Sequence, residues 1–388
     1  MSSIAHIRCW QIPPRWLLVE VETDDHLTGW GEAIVPKRAR AVLGAIEDLA
    51  TNLRGAPADR IEEAAVRMRQ GAFFRGGPIL STAAAAIEQA LWDIKGRRLG
   101  IPVYDLLGGA VRESTRAYAW IGGDRPDDVA NHAKQRLAQG YTAVKMNATA
   151  EADSLDVTAV VDGVVARMGM VRDAVGTNLD IAIDFHGRVH RSLVPTLLRE
   201  LAPFRPLWVE EPVSPGHEDA LRAVIPKGCS IPIATGERLT SRWEFKRLLE
   251  ERVVDIIQPD VSITGLFELR KIAAMAEAYD VAVAPHCPNG PVSLAATLQV
   301  AACTPNIVIL EHSTGIHYHR GYAGLDAAEP GDYLRDPSLL DVERGYLRRL
   351  DGSGLGIEID RTLVEERARV WQVPDPEWRL PDGRITEW

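Results

Sequence analysis

The sequence has few of the features that mark secreted, membrane or nucleic-acid-binding proteins. Its 388 residues include only four cysteines, which are scattered and form no Cys-x-x-Cys pair, so we expect reduced thiols and a cytoplasmic protein. No apolar run approaches the roughly 20 residues of a membrane helix, and we expect no signal peptide at the N-terminus. The net charge of −10 argues against nucleic acid or a membrane surface as a partner.

Two regions of different character follow one another along the chain. Residues 4–10, 16–23 and 29–33 are typical of strands and precede helical patterns, which predicts an α+β N-terminal region. From about residue 116, short apolar runs alternate with helical segments, as expected for a parallel sheet buried on both faces. The predicted strands are 116–121, 141–147, 180–184, 207–210, 231–236, 254–259, 281–285 and 307–310.

Eight strand–helix units over about 200 residues predict a (β/α)8 barrel. A doubly wound sheet is the alternative, but no Gly-x-Gly-x-x-Gly follows any strand, and the glycines at 352–356 have the wrong spacing and position for that motif. After residue 330 the chain is rich in proline, glycine and charge, with one further strand-like run at 355–359. We expect this tail to pack back on the N-terminal region.

Polar residues end six successive strands, at intervals of 26, 27, 23, 26 and 25 residues, which is one strand–helix unit each. In a barrel these side chains would ring the C-terminal mouth, where active sites of this fold lie. So many acids close together repel one another and need a cation to compensate. The six residues are Asp184, Glu210, Glu237, Asp260, His286 and Glu311.

Three of these carboxylates, Asp184, Glu210 and Glu237, lie on adjacent predicted strands and suit a hard cation such as Mg²⁺. Glu211 competes with Glu210 for the same role, because the spacing barely separates the two. The alternative to a metal site is a set of helix caps and solvated loop acids, since an aspartate at a strand end often caps the next helix.

A base and an acid accompany the predicted metal site. Asp260 and His286 lie on neighbouring strands, and a carboxylate bonded to one imidazole nitrogen raises the basicity of the other. His286 is therefore a candidate general base, His186 a candidate acid from the opposite side, and Glu311 a candidate partner for developing charge. A divalent cation with a histidine base indicates proton abstraction next to a carboxylate, through an enediolate, followed by loss of a neighbouring hydroxyl.

The motifs that carry these residues resemble those of the enolase superfamily, in its mandelate-racemase-like branch, and within it the galactonate-dehydratase type. They include GWGE (29–32), FRGGPIL (74–80), DFHGRV (184–189), EEPV (210–213), ATGERL (234–239), QPD (258–260), APHCP (284–288) and GIHY (315–318). The resemblance implies a capping domain from residues 1–115, a barrel over 116–330 and a segment over 331–388 that returns to the cap. It also implies a Mg²⁺-dependent dehydratase of a galactonate-like sugar acid, often a homo-oligomer, in which Arg15 and Trp16 contact the substrate.

Several positions depart from that type near the predicted barrel mouth. Lys145 is followed by Asn147 where many relatives have a second, basic lysine, which favours a dehydratase with one histidine base over a two-base racemase. Ile263, Asn289 and His312 also differ, and we assign Asn147 and His312 to substrate binding. The alternatives left open are a racemase or epimerase of a 2-hydroxy acid, with His186 as its second base, and a relative that binds metal without catalysis. A zinc hydrolase is disfavoured because the first barrel strand lacks His-x-His and the chain lacks HExxH.

Overall fold

The N-terminal region is a three-stranded antiparallel sheet covered by helices. The computed structural model describes residues 2–151, 155–320, 326–370 and 377–386. The sheet has the order β1-β2-β3, and α3 packs on β3 and β2. Its strands are β1 (Ile4–Ile12), β2 (Trp16–Thr23) and β3 (Thr28–Ala33), and its helices are α1 (Ala39–Leu53), α2 (Ile61–Gln70), α3 (Gly77–Leu99) and α4 (Val103–Leu106).

Eight parallel strands form the second region, and the first seven pair with one another in sequence order. They are β4 (Ser114–Ile121), β5 (Ala143–Asn147), β6 (Asp180–Asp184), β7 (Val209–Glu210), β8 (Ile233–Thr235), β9 (Ile256–Ile257), β10 (Ala282–Val283) and β11 (Leu310–His312). Helices separate the strands: α5 (Val129–Ala138), α6 (Val157–Val175), α7 (Val194–Leu201), α8 (Leu221–Val224), α9 (Arg242–Glu251), α10 (Val261–Thr264), α11 (Leu266–Glu277) and α12 (Pro291–Ala302).

The sheet closes on itself, which confirms the barrel and excludes the doubly wound alternative. The last strand, β11, pairs in parallel with the first, β4. On its other side, the backbone N–H of Val308 donates to the carbonyl of Val283 over 3.0 Å, and that of Glu311 donates to Pro285 over 3.2 Å. A closed parallel barrel brings the C-terminal ends of all its strands to one mouth.

Buried acids of the N-terminal region attach it to the barrel. Glu88 on α3 accepts a backbone hydrogen bond from Leu266 at the start of α11, and Glu32 at the end of β3 accepts one from Gly290 just before α12. Both carboxylates therefore meet the unpaired N–H groups and positive dipole end of a barrel helix. These bonds hold the N-terminal region as a cap over the barrel mouth.

The tail contains a hairpin where the sequence analysis expected none. Strands β12 (Val342–Glu343) and β13 (Tyr346–Arg348) pair with each other, and β13 pairs antiparallel with β4. The strand predicted at 355–359 is wrong, because among these residues only Ile359 forms a β-bridge, to Leu334. A last helix, α13 (Arg361–Arg367), packs near β1.

Two further expectations bear on the environment of the protein. All four cysteines carry free thiols. Among the described residues, we find no helix with both the length and the apolar character needed to traverse a bilayer.

Candidate active site

A cavity of about 390 Å³ lies between the barrel mouth and the cap. The structure brings the six predicted strand-end residues together here, although they lie at different depths. Glu237, Asp260, His286 and Glu311 line the cavity, as does His186. Asp184 and Glu210 pair in register on neighbouring strands β6 and β7 and are almost completely buried.

Lys145 lies at the centre of the acidic cluster. Its Nζ is 2.7 Å from Glu210 Oε1, 3.5 Å from Glu311 Oε1 and 3.8 Å from Asp184 Oδ2. Burial alone would lower the pKa of Lys145, but these carboxylates outweigh it and raise the pKa well above its ordinary value. The sequence analysis gave this residue no role, although a lysine within the apolar strand β5 was a visible signal.

Asp184, His186 and Glu237 form a compact group of potential metal ligands. One ligand atom from each lies within 4.8 Å of the others. Glu210, predicted as the third carboxylate ligand, is outside this group, because Lys145 and the indole N–H of Trp208 hold its two oxygens.

Glu211, the competitor of Glu210, is committed to another partner. Arg238 donates to both of its carboxylate oxygens, with Nε 2.9 Å from Oε1 and Nη2 2.9 Å from Oε2. A two-pronged pair of this kind is strong and directional. Both glutamates therefore have their two carboxylate oxygens bonded, Glu211 by one guanidinium and Glu210 by two separate donors.

The donor chemistry fits a hard divalent ion. Asp184 Oδ2 and Glu237 Oε2 are buried oxygens that face imidazoles, with His186 Nε2 3.0 Å from the first and His286 Nε2 3.6 Å from the second. Burial alone would raise the pKa of Asp184, but His186 and Lys145 outweigh burial and hold the pKa below its ordinary range. Buried carboxylate oxygens that lie within 4.8 Å of one another are suited to a cation such as Mg²⁺.

His286 and Asp260 form the expected dyad. His286 Nδ1 is 2.7 Å from Asp260 Oδ2, while its Nε2 faces Glu237 at 3.6 Å and Glu311 at 3.8 Å. Burial alone would lower the pKa of His286, but these carboxylates outweigh it and raise the pKa to about 10. The amide of Asn289 donates to both oxygens of Asp260 at 3.0 Å, so this departure from the family pattern orients the dyad.

His186 approaches the same carboxylates from the side of β6. Its Nε2 is 3.0 Å from Asp184 Oδ2, and its backbone adopts a positive φ of 49°. Burial alone would lower its pKa, but Asp184 outweighs burial and raises it. A protonated imidazole in this position can serve as a proton donor.

A polar wall of the cavity contains residues to which the sequence analysis assigned no role. Arg188 donates from Nη1 to the carbonyl of Asp124, and Tyr318 donates from its hydroxyl to the Asp124 carboxylate. Arg188 Nε and Nη2 are buried and have no hydrogen-bond partner among the residues that the structure describes. Arg15 lines the cavity as expected, with its guanidinium 4.1 Å from the centre of the Tyr318 ring.

Three residues predicted to bind substrate lie outside this lining and are corrected here. Trp16 is fully buried and packs edge-on against His319 and Tyr333 rather than facing the cavity. Asn147 is buried at the end of β5 and donates to the carbonyls of 123 and 124.

His312 is the third of these residues, and it is buried on the face of β11 that points away from the cavity. It bonds to the Tyr141 hydroxyl at 2.6 Å and to Thr314 at 3.0 Å. Successive side chains of a strand point to opposite faces, so a cavity-facing Glu311 directs its neighbour His312 away from the cavity. The sequence analysis placed His312 near the mouth without applying this alternation.

Comparison with known proteins identifies the family. The model of the mandelate racemase / muconate lactonizing enzyme N-terminal domain matches residues 13–108, and the enolase C-terminal domain-like model matches residues 128–363. The chain belongs to the mandelate racemase/muconate lactonizing enzyme family of the enolase superfamily. This confirms the resemblance inferred from the sequence motifs.

Relatives of this family member include several dehydratases. It is 46% identical to a D-galactonate dehydratase of Ralstonia pickettii (strain 12J) over 390 residues and 43% identical to one of Klebsiella pneumoniae (strain 342), each match covering 100% of both chains. These full-length matches show an enzyme of the hydro-lyase class.

Solved structures agree with the fold. An enolase from Agrobacterium radiobacter, bound to Na and L-malate, matches with a TM-score of 0.88 and 31% identity, covering 99% of each chain. A mandelate racemase/muconate lactonizing enzyme from Sulfitobacter sp. matches with a TM-score of 0.87 and 28% identity, covering 100% of each chain.

Proposed function

We propose that this enzyme is a Mg²⁺-dependent dehydratase of a galactonate-like sugar acid. It removes the C2 proton, passes through an enediolate and expels the C3 hydroxyl to give a 2-keto-3-deoxy acid. The observation that carries this proposal is the placement of two histidines, His286 and His186, on either side of one carboxylate group. His286 Nε2 is 3.6 Å from Glu237 Oε2, and a ring nitrogen of His186 lies within 4.8 Å of a Glu237 oxygen, so a substrate bound there would meet a base and an acid at once.

His286 serves as the base in this mechanism. With Nδ1 bonded to Asp260 over 2.7 Å, the proton of the neutral ring stays on Nδ1. Nε2 would be free to accept the C2 proton once a cation bound at Glu237 offsets the carboxylates that raise the pKa of His286. Asn289 and the backbone N–H of Ser262 fix the other face of the Asp260 carboxylate. These bonds keep the ring in one orientation and one tautomer.

His186 serves as the acid. It gives a proton to the C3 hydroxyl, which leaves as water while the C2–C3 double bond forms, and the resulting enol becomes the 2-keto group. The ion pair with Asp184 keeps the imidazole protonated before the reaction. Lys145, charged and buried, adds positive potential where the substrate carboxylate gains charge.

The metal would be held by Asp184, Glu237 and Glu210, after Glu210 turns from Lys145. The close approach of a carboxylate oxygen of Asp184 to one of Glu237, within 4.8 Å, supports this assignment. A bound Mg²⁺ would supply electrostatic stabilisation of the negative charge that develops on the substrate carboxylate.

A racemase or epimerase needs a second base on the opposite face of the substrate. Asn147 replaces the basic lysine of many relatives, and its amide is used to hold the loop at 123–124. His186 would then have to act as the base, yet its pairing with Asp184 favours the protonated form. These contacts favour elimination over racemisation.

The proposal is tested by proton NMR of the protein with Mg²⁺ in D₂O and a panel of hexonates, pentonates and aldarates. We expect loss of the C2 proton signal together with new signals of a 2-keto-3-deoxy product. Deuterium at C2 without loss of water would indicate an epimerase instead, and no reaction of any acid would refute a sugar-acid dehydratase.

We also propose the domain division inferred from the sequence, with a cap over 1–115, a barrel over 116–330 and a returning segment over 331–388. Contacts of the tail with the cap support it: the Tyr333 hydroxyl donates to the carbonyl of Pro13 over 2.9 Å, and Arg361 pairs with Glu20 over 3.0 Å. Limited proteolysis tests it, because cleavage should fall near the two boundaries before it falls within the barrel.

A further inference from the structure

One part of the cavity lining has no side chain that could form a hydrogen bond with a polyol. Besides the polar wall of Arg15, Asp124, Arg188 and Tyr318, the cavity is lined by side chains that carry only carbon and hydrogen and can neither donate nor accept a hydrogen bond. These apolar lining residues are Ile34, Val35, Pro36, Pro78 and Ile263. We refer to this set as the apolar wall.

The apolar wall is continuous because its segments are neighbours in the fold. Residues 34–36 directly follow β3, and Pro78 lies in the first turn of α3. Ile263 lies on the short helix α10, which packs against both β3 and α3. The Gln89 side chain fixes this arrangement by donating to the carbonyl of Val261 on α10 and bonding to the backbone of Glu32 on β3.

The apolar wall faces the end of the substrate that is remote from the reaction. The charged groups that would hold the substrate carboxylate lie at the barrel end of the cavity, so the carbons beyond C3 extend toward the cap. Of the five cap residues among the described cavity lining, four belong to the apolar wall. The fifth, Arg15, belongs to the polar wall. Its Nη2 donates to the carbonyl of Pro288 over 2.7 Å, and its guanidinium packs on the Tyr318 ring.

We propose, building on the dehydratase function above, that the preferred substrate is a sugar acid whose terminal carbon lacks a hydroxyl, such as a 6-deoxy-hexonate, and that Ile263 is a specificity-determining residue for it. A methyl group at C6 buries apolar surface against the apolar wall. A C6 hydroxyl loses its water there and gains no hydrogen bond from these residues. Apolar pockets discriminate against one added hydroxyl by about 10- to 100-fold.

The test compares kcat/KM for a panel of hexonates, each paired with its 6-deoxy counterpart of the same stereochemistry, using the Mg²⁺-loaded enzyme. For the pair that reacts, we expect the 6-deoxy acid to be favoured by about tenfold or more. Ile263→Thr, which places a hydroxyl in the apolar wall, should reduce this ratio by about fivefold or more, mainly through KM. The matched control is Val308→Thr, since Val308 is half exposed and outside the cavity lining, and its ratio should equal that of wild type.

The outcomes separate this inference from the proposed function. If the enzyme dehydrates hexonates as well as or better than their 6-deoxy counterparts, the inference is wrong and the dehydratase function stands. If Ile263→Thr shows the same ratio of kcat/KM between the 6-deoxy acid and its hexonate as the wild-type enzyme, the role of Ile263 is wrong. If no member of any pair is dehydrated, the inference fails, and the proposed function fails with it only if the pentonates and aldarates of the NMR panel do not react either.

Discussion

Replacing His286 by asparagine tests the assignment of the general base. The asparagine amide can still donate to Asp260 in place of Nδ1, so the packing and the 2.7 Å contact can be largely retained. What the variant loses is the Nε2 lone pair that accepts the C2 proton. Positioned general bases contribute about 100- to 10,000-fold to the rate, which corresponds to about 3–5 kcal/mol of transition-state stabilisation.

The assay is steady-state kcat for sugar-acid dehydration, combined with calorimetric titration of Mg²⁺. We expect His286→Asn to lose kcat by at least about 100-fold while it still binds Mg²⁺, because the predicted ligands are other residues. His26→Asn is the matched control: His26 is exposed in a hairpin turn with a φ of 62°, and asparagine tolerates that left-handed conformation. Retention of kcat in His286→Asn would refute the assigned base.

Three further substitutions test the surroundings of the site. Lys145→Met leaves buried carboxylates uncompensated, so its free energy of unfolding, measured by chemical denaturation in EDTA, should fall by about 3–5 kcal/mol. Mg²⁺ should restore part of this free energy, and an unchanged value would contradict the prediction. Asn147→Ala should cost about 1–3 kcal/mol of unfolding free energy and raise KM, because the loop bearing Asp124 loses its bonds; an unchanged KM would argue against that coupling. His312, whose pKa burial lowers to about 3, stays neutral when folded but titrates near 6.5 when unfolded, so stability falls as the pH drops from about 6.5 toward 3. His312→Gln, which can keep the bond to Tyr141, should show a smaller decrease in unfolding free energy between about pH 7 and 4.5, and an equal decrease would count against this explanation.

The barrel could be predicted from the sequence because each strand is a short apolar run between helical segments. The spacing of one strand–helix unit between polar strand ends was sufficient to place Asp184, Glu237 and His286 at one mouth. The segment at 355–359 shows the limit of this reasoning. Leu355, Ile357 and Ile359 alternate and are buried, yet alternation reports burial on one face and cannot show whether a partner strand is present.

The hairpin of β12 and β13 escaped prediction for a related reason. Its turn is formed by Arg344 and Gly345, both with positive φ, at 51° and 84°. Two-residue hairpin turns need this conformation but usually use asparagine or aspartate before the glycine. The arginine therefore gave no turn signal, and the pairing of β13 with β4 depends on tertiary contacts.

Within the site, the sequence indicated which residues carry charge but not what each one contacts. Asn147 bonds to a loop, and Trp16 is buried away from the cavity lining. Both contacts depend on the path of the cap over the barrel, which no local sequence pattern encodes. The role of Lys145 does not follow from the family pattern, because the informative difference from that pattern is at Asn147, two positions later. A lysine on an inward-facing strand position beside acids is itself a signal of a charged site.

In the proposed mechanism His286 removes the C2 proton and His186 expels the C3 hydroxyl, and deuterium exchange in His186→Asn tests these two roles directly. In D₂O with Mg²⁺ and a substrate that the wild-type enzyme dehydrates, we expect this variant to place deuterium at C2 of unreacted acid without forming product. His286→Asn should do neither. Exchange at C2 in His286→Asn, or normal product formation by His186→Asn, would contradict the assigned roles.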